Sequence, residues 1–195
     1  MVETLNKFGV PVDGERAGML MPKLTNRFRV RLTNFGPLNS AQSVDLSRQV
    51  ISVAKPNLTH EEVMVHSYNS IAYFAGKHAW QTVDLVARDD ITNAVTRLVY
   101  HQVQKQMNHF EQTSPIAGSN YKFGMVVETL DGGNDGVLEK WELEGCFLTN
   151  IATEGLNYES ANAQTITMTI RYDNATLQDG LQTQTPELLT GLTRV

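Results

Sequence analysis

The side chains best suited to chemistry in this 195-residue chain are five histidines, at 60, 66, 78, 101 and 109, and one cysteine, Cys146. No HxH, HExxH or CxxC spacing occurs, so nothing local aims two ligands at one metal ion, although His60 directly precedes Glu61 and Glu62. A thiol nucleophile needs a histidine that the fold brings beside it. The strand pattern instead puts Cys146 with Glu144 and Leu148 on an otherwise polar face, as a small half-buried side chain. The run DGGNDG, Asp131–Gly136, offers two Asp and one Asn whose oxygens can gather around calcium. Only Glu139 follows at once and no nonapeptide repeat surrounds the run, so turn preference makes it a hairpin loop. Asn57-Leu58-Thr59 and Asn174-Ala175-Thr176 match a glycosylation acceptor, a chance match without a secretory signal. Glycine-rich phosphate cradles, GxSxG elbows and paired catalytic carboxylates are absent from the sequence. The sequence therefore assigns no catalytic residue, no metal ligand and no cofactor, and a non-enzymatic role is expected.

Composition narrows the classes further. With 41% apolar residues, 195 residues suffice for one domain with its own core. Sixteen Lys and Arg against 21 Asp and Glu give a net charge of -5, which disfavours a protein that grips nucleic acid by neutralising phosphates. A lone cysteine closes no intrachain disulfide, so folding rests on packing. No basic segment leads into an apolar run at the N-terminus and no eighteen apolar residues stand together, so a soluble protein with no Sec-type signal and no membrane partner is expected.

The elements come from periodicity. Phe28, Val30 and Leu32 alternate with Arg27, Arg29 and Arg31, which predicts a half-buried strand with three cations on its wet face. A second alternating segment, Ser43 to Val53, changes phase near Ser47–Gln49, as at a bulge, and Pro56 stops it. The stretch from Asn57 to Val63 reads as a loop, Val63 to Ala75 as a pair of extended segments, and Ala79 to Ala87 as a strand. Ile91, Val95, Leu98, Val99, Val103, Met107 and Phe110 form one stripe at helical spacing, which predicts a helix over about 90–110 capped by Asp89 or Asp90. Tyr121 to Leu130, Val137 to Phe147 and Thr165 to Tyr172 complete the alternating strands. The expected fold is mainly β, an antiparallel barrel or sandwich of two packed sheets with one α-helix. The domain spans 25–173, between an N-terminal arm, 1–24, and a C-terminal arm, 174–195, both rich in Gly, Pro or polar residues.

The order of these motifs resembles the tail tube proteins of contractile-tailed bacteriophages, whose fold the type VI secretion tube protein shares. The resemblance is carried by RFRVRL at Arg27–Leu32, by VISVAKP at Val50–Pro56, and by a strand pair ending at Gly76. After them come Trp80, Val83, Leu85 and Asp89 ahead of the helix, then WELEGCFLTN and TITMTIRYD near the end. It covers residues 25–173. What it implies is a subunit that closes into homo-hexameric rings, whose strands form one continuous inner barrel and which stack into a tube. The implied partners are further copies of the chain, the tail sheath, the baseplate tube-initiator, the tail terminator and the tape-measure protein. Double-stranded DNA would pass without specific binding. The implied place is the virion tail, assembled in the host cytoplasm.

Two sets of residues are expected to serve that role. Glu142, Glu144, Thr165, Thr167 and Thr169 offer acids and short hydroxyls for a lumen that repels phosphate. Asn57, Leu58, Thr59 and His60, with the two arms, are expected at ring-to-ring contacts. A secretion-type tube protein or a baseplate tube-initiator shares the expected fold, and a small-ligand barrel or enzyme is the competing class, to be recognised by a pocket with a perturbed acid and base.

Overall fold

Period-two patterning becomes nine antiparallel strands and one main helix among the residues that the computed structural model describes, 22–37, 46–133, 136–159 and 161–179. The strands are β1 Phe28–Thr33, β2 Val50–Val53, β3 Leu58–Ser67, β4 Ser70–Trp80 and β5 Val83–Arg88, followed by helix α1, Ala94–Gln106. Then come β6 Phe123–Leu130, β7 Val137–Thr153, β8 Thr165–Arg171 and β9 Asn174–Asp179.

The 17-residue β7 organises the molecule because its two halves belong to different layers. Residues 139–144 run between β6 and β9, and residues 147–153 pair with β8. A first sheet thus has the order β1-β6-β7-β9, and a second the order β7-β8-β5-β2. Gly145 lies at the junction with φ +67°, a left-handed backbone that suits glycine. The register slips there, from Met125 opposite Leu143 to Phe123 opposite Cys146, which marks a bulge.

Between the sheets Val30, Leu32, Met125, Val127 and Leu143 meet Leu85, Ala87, Ile166, Met168 and Ile170, all buried. Val95, Leu98 and Val99 of α1 join this core, and Phe35 stacks edge-on against Phe123 at 4.9 Å. The expected two-sheet antiparallel architecture with one main helix is therefore the observed one, and the sheets do not close into a barrel.

Several expectations are corrected. The helix covers 94–106 rather than about 90–110, and Ile91 and Phe110 of the supposed stripe are almost wholly exposed. At its start the Asp90 carboxylate accepts from the Thr92 and Ala94 amides, while Asp89 binds the Thr96 amide and hydroxyl. These bonds fix the first turn after Ile91, while the left-handed Asn93, φ 54°, holds the N-cap position. At its end Asn108 turns the chain back, bridging to Thr113 and binding the Phe110 amide. Residues 46–49 are helical where a strand was expected, and the slip falls inside β2, between Val50 and Ser52; residues 43–45 lie outside the described residues. The supposed 57–63 loop is strand from Leu58, and the 79–87 strand is broken at Gln81 and Thr82. Residues 174–179, assigned to the C-terminal arm, are β9; residues 1–21 and 180–195, the rest of both arms apart from 22–24, lie outside the described residues.

Candidate assembly interface

Two features leave backbone or apolar surface without a partner among the described residues of one copy. The first is the hairpin β3–β4, a two-stranded sheet of its own in which every side chain but Trp80 is exposed. Its register places Met64 opposite Tyr73 and His66 opposite Ile71 on one face, and Val63 opposite Phe74 and Val65 opposite Ala72 on the other. Both faces are thus apolar near the tip, which a lone hairpin in water does not support. A slip between His60 and Glu62 puts an extra residue on β4, where Gly76 lets the strands approach: a Cβ there would meet the Glu61 carbonyl at 3.0 Å. The base is anchored by the Trp80 ring against Tyr172, 5.7 Å between centroids, and by hydrogen bonds from Gln81 to Asn57 O and Thr59. Trp80 Nε1 is buried without a hydrogen-bond partner among the described residues, and burial raises the Tyr172 hydroxyl pKa.

The second feature is the sheet edges. Among the described residues β1 pairs only with β6 and β9 only with β7, so within them each end of the first sheet is an open strand of six residues. The second sheet is less open. β2 has four residues and a bulge, with Pro56 close behind, and the second half of β7 is capped at Leu148 by the side chain of Gln106.

The outward face of the first sheet is a field of paired charges. Glu128 binds Arg29 at 2.6 Å and lies 3.6 Å from Arg31; Lys140 pairs with Glu142, whose other oxygen accepts from Gln178 at 3.1 Å. Glu144 lies exposed opposite Asn174. On the core side, at the end of the sheet, Glu139 accepts from Lys55, Lys23 and the Trp141 indole. Burial disfavours its charge, but the bonds from Lys55, Trp141 and Lys23 and the Lys55 charge outweigh it and hold the carboxyl at about 2, against an ordinary 4.5.

The predicted luminal residues are not brought together. Glu142 and Glu144 lie on the outward face of the first sheet; Thr165, Thr167 and Thr169 lie on that of the second, where Thr169 donates to Asp84 at 2.8 Å. Asn57, Leu58, Thr59 and His60 do come together, at the base of the hairpin. Cys146 is corrected: the bulge at Gly145 flips the alternation and buries its thiol in the core, where burial pushes the pKa up to about 12. The sequence reading missed Gln102 and Gln106. Gln102 occupies the same stripe as Val95 and Val99, and a polar residue in an apolar stripe is the signal of a buried, bonded amide.

No protein-family model matches the chain, and no curated sequence does. Solved structures do. A chain of the anti-feeding prophage tube-terminating cap superposes with a TM-score of 0.63 at 13% identity, covering 87% of this chain and 99% of that one. A chain of the anti-feeding prophage baseplate gives 0.61 at 15%, covering 83% and 99%. The fold is tail-tube-like. A chain of the sheath–tube complex of an extracellular contractile injection system, PVC, agrees at 0.57 and 14%, covering 81% and 92%. What this tail-tube-like chain shares with them is architecture.

Proposed function

We propose that this chain is the repeating subunit of the inner tube of a contractile apparatus, closing into rings through the first sheet and stacking through the β3–β4 hairpin. The observation that carries the reading is the pair of edges left open among the described residues, β1 and β9, equal in length and at opposite ends of one sheet. Adding β9 of one copy to β1 of the next continues the sheet and removes both edges. Closure puts the core on the outside of the wall and the charged face in the lumen. Six copies contribute about 24 strands, four from each; at about 4.8 Å per strand and a tilt of about 40° the wall is about 45–50 Å across. After side chains the channel is wider than a DNA duplex.

The cargo we assign is double-stranded DNA, released once the tape-measure protein has left, with sheath, tube-initiator and terminator as partners in a virion tail assembled in the host cytoplasm. On this reading Glu142 and Glu144 are luminal and the threonines of β8 are not. Arg29, Arg31 and Lys140 balance Glu128, Glu142 and Glu144 on that face, so it lets a polyanion slide without binding it and repels it less than an acidic lining does. A protein-injecting tube is the second reading, supported by the fold shared with chains of the anti-feeding prophage and PVC systems. Asn57, Leu58, Thr59 and His60 join the hairpin in ring-to-ring contact.

Negative-stain microscopy of the purified protein at rising concentration tests the core of the reading. Six-fold rings or stacked tubes with a central hole are expected; a uniformly monomeric species at high concentration would sink it.

A further inference from the structure

We propose that Gln106 is an edge guard: by saturating the free side of β7 at Leu148, it bars strand addition to the second sheet and confines assembly to β1 and β9. This rests on the tube reading above. On one side β7 carries β9 and then β8; on the other, β6 leaves at Cys146 and nothing replaces it along residues 147–153 among the described residues. At the point of departure the Gln106 amide donates to Leu148 O at 2.9 Å and accepts from Leu148 N at 2.9 Å. A primary carboxamide presents one donor and one acceptor side by side, as a neighbouring strand's peptide group does, so one side chain stands in for a strand.

The placement is rigid. Gln106 is the last residue of α1, and one turn earlier the buried Gln102 amide accepts from Gly36 N at 3.0 Å and donates to Tyr121 O at 2.6 Å. These four bonds tie the helix to both sheets, to the end of β1 and the approach to β6 on one side and to β7 on the other. Without Gln106, the Leu148 N–H and C=O would face an open groove lined by Ser114, Pro115, Tyr121, Phe147 and Thr149. Tyr121 and Phe147 meet edge-on there, 6.4 Å between centroids. A bare strand edge beside aromatic rings accepts an extended segment by β-addition. In a molecule that polymerises by strand addition, a second such edge would branch or misdirect the polymer, and the guard removes it.

The test uses the full chain with Gln106→Leu, which loses both bonds, Gln106→Glu, which keeps the acceptor for Leu148 N–H, and the double variant Gln106→Leu with Ala152→Lys. Hydrogen exchange of the Leu148 amide should speed up about ten-fold in Gln106→Leu and much less in Gln106→Glu. By light scattering and microscopy, Gln106→Leu should give irregular aggregates at concentrations where the wild type gives rings, with Gln106→Glu intermediate. The lysine restores no lost hydrogen bond, but it blunts the exposed edge strand, so the double variant should recover regular assemblies. Regular rings from Gln106→Leu, or no recovery in the double variant, overturn the guard. Should Gln106→Leu fail to fold, Gln106→Glu decides: assembly identical to wild type rejects the proposal, and mixed assemblies uphold it. A wild type that forms no rings refutes the tube reading separately, and the exchange and aggregation of the variants then judge the guard alone.

Discussion

Glu139 shows how a residue's role follows from neighbours far away in sequence. Lys23 precedes β1 and Lys55 follows β2, yet both reach this carboxylate at 3.1 and 2.9 Å, tying the second sheet's exit to the first sheet. Its folded-state pKa of about 2 lies below the ordinary 4.5, so its contribution is complete above pH 4.5 and is lost as pH falls toward 2. With both lysines more than half exposed, screening leaves about 1–2 kcal/mol of that linkage. Glu139→Gln should therefore lower the midpoint of urea unfolding at pH 7 and flatten its decline between pH 4.5 and 2; a variant with the wild-type acid profile rules the clamp out. Cys146 makes a simpler prediction. A thiol held at about 12 in the core should resist a thiol-specific reagent at pH 8 in the folded protein and react at once in denaturant. The charged positions were legible in the sequence; that Lys23 and Lys55 meet at Glu139 was not, because the fold brings them there from 116 and 84 residues away.

At the scale of elements, strands with one wet face and one dry face were legible because alternation records burial. The β3–β4 hairpin escaped partly because Val63, Met64 and Val65 are consecutive, and a strand apolar on both faces carries no period-two signal. That same doubling is why the proposed stacking contact is placed on the hairpin. Phe74→Lys places a charge on a side chain that is 59% exposed in one copy, so it should change stability by no more than about 0.5 kcal/mol. Rings should still close, and stacks should shorten or vanish in sedimentation and microscopy. Full-length tubes from this variant would show that this face of the hairpin stays uncovered. Helix α1 was found but overextended, since apolar spacing continues past the points where Asp90 and Asn108 bind the backbone and end it.

At the largest scale the decisive property is that, among the described residues, a two-layer fold leaves one sheet open at both ends. In the proposed tube, charge then sets what can pass. Glu142→Lys with Glu144→Lys replaces two acids by two cations beside Arg29, Arg31 and Lys140 on the proposed luminal face of each copy. Both side chains point away from the core, so tubes should still assemble, while genome release from particles carrying the variant should slow and become salt-dependent. Unchanged release at low salt removes this face from the lumen.

The sequence by itself determined most of the alternating strands, the helix and the lack of spaced ligands, because these are consequences of local chemistry. Only the tertiary structure decided that β7 serves two sheets, that Cys146 faces inward, that Glu142 and the β8 threonines lie on different faces, and which edges stay open among the described residues. The bulge at Gly145 reverses the alternation as far as the second slip, between Leu148 and Asn150, and whether an edge is free depends on what else comes to lie beside it; neither is written in the residues next along the chain.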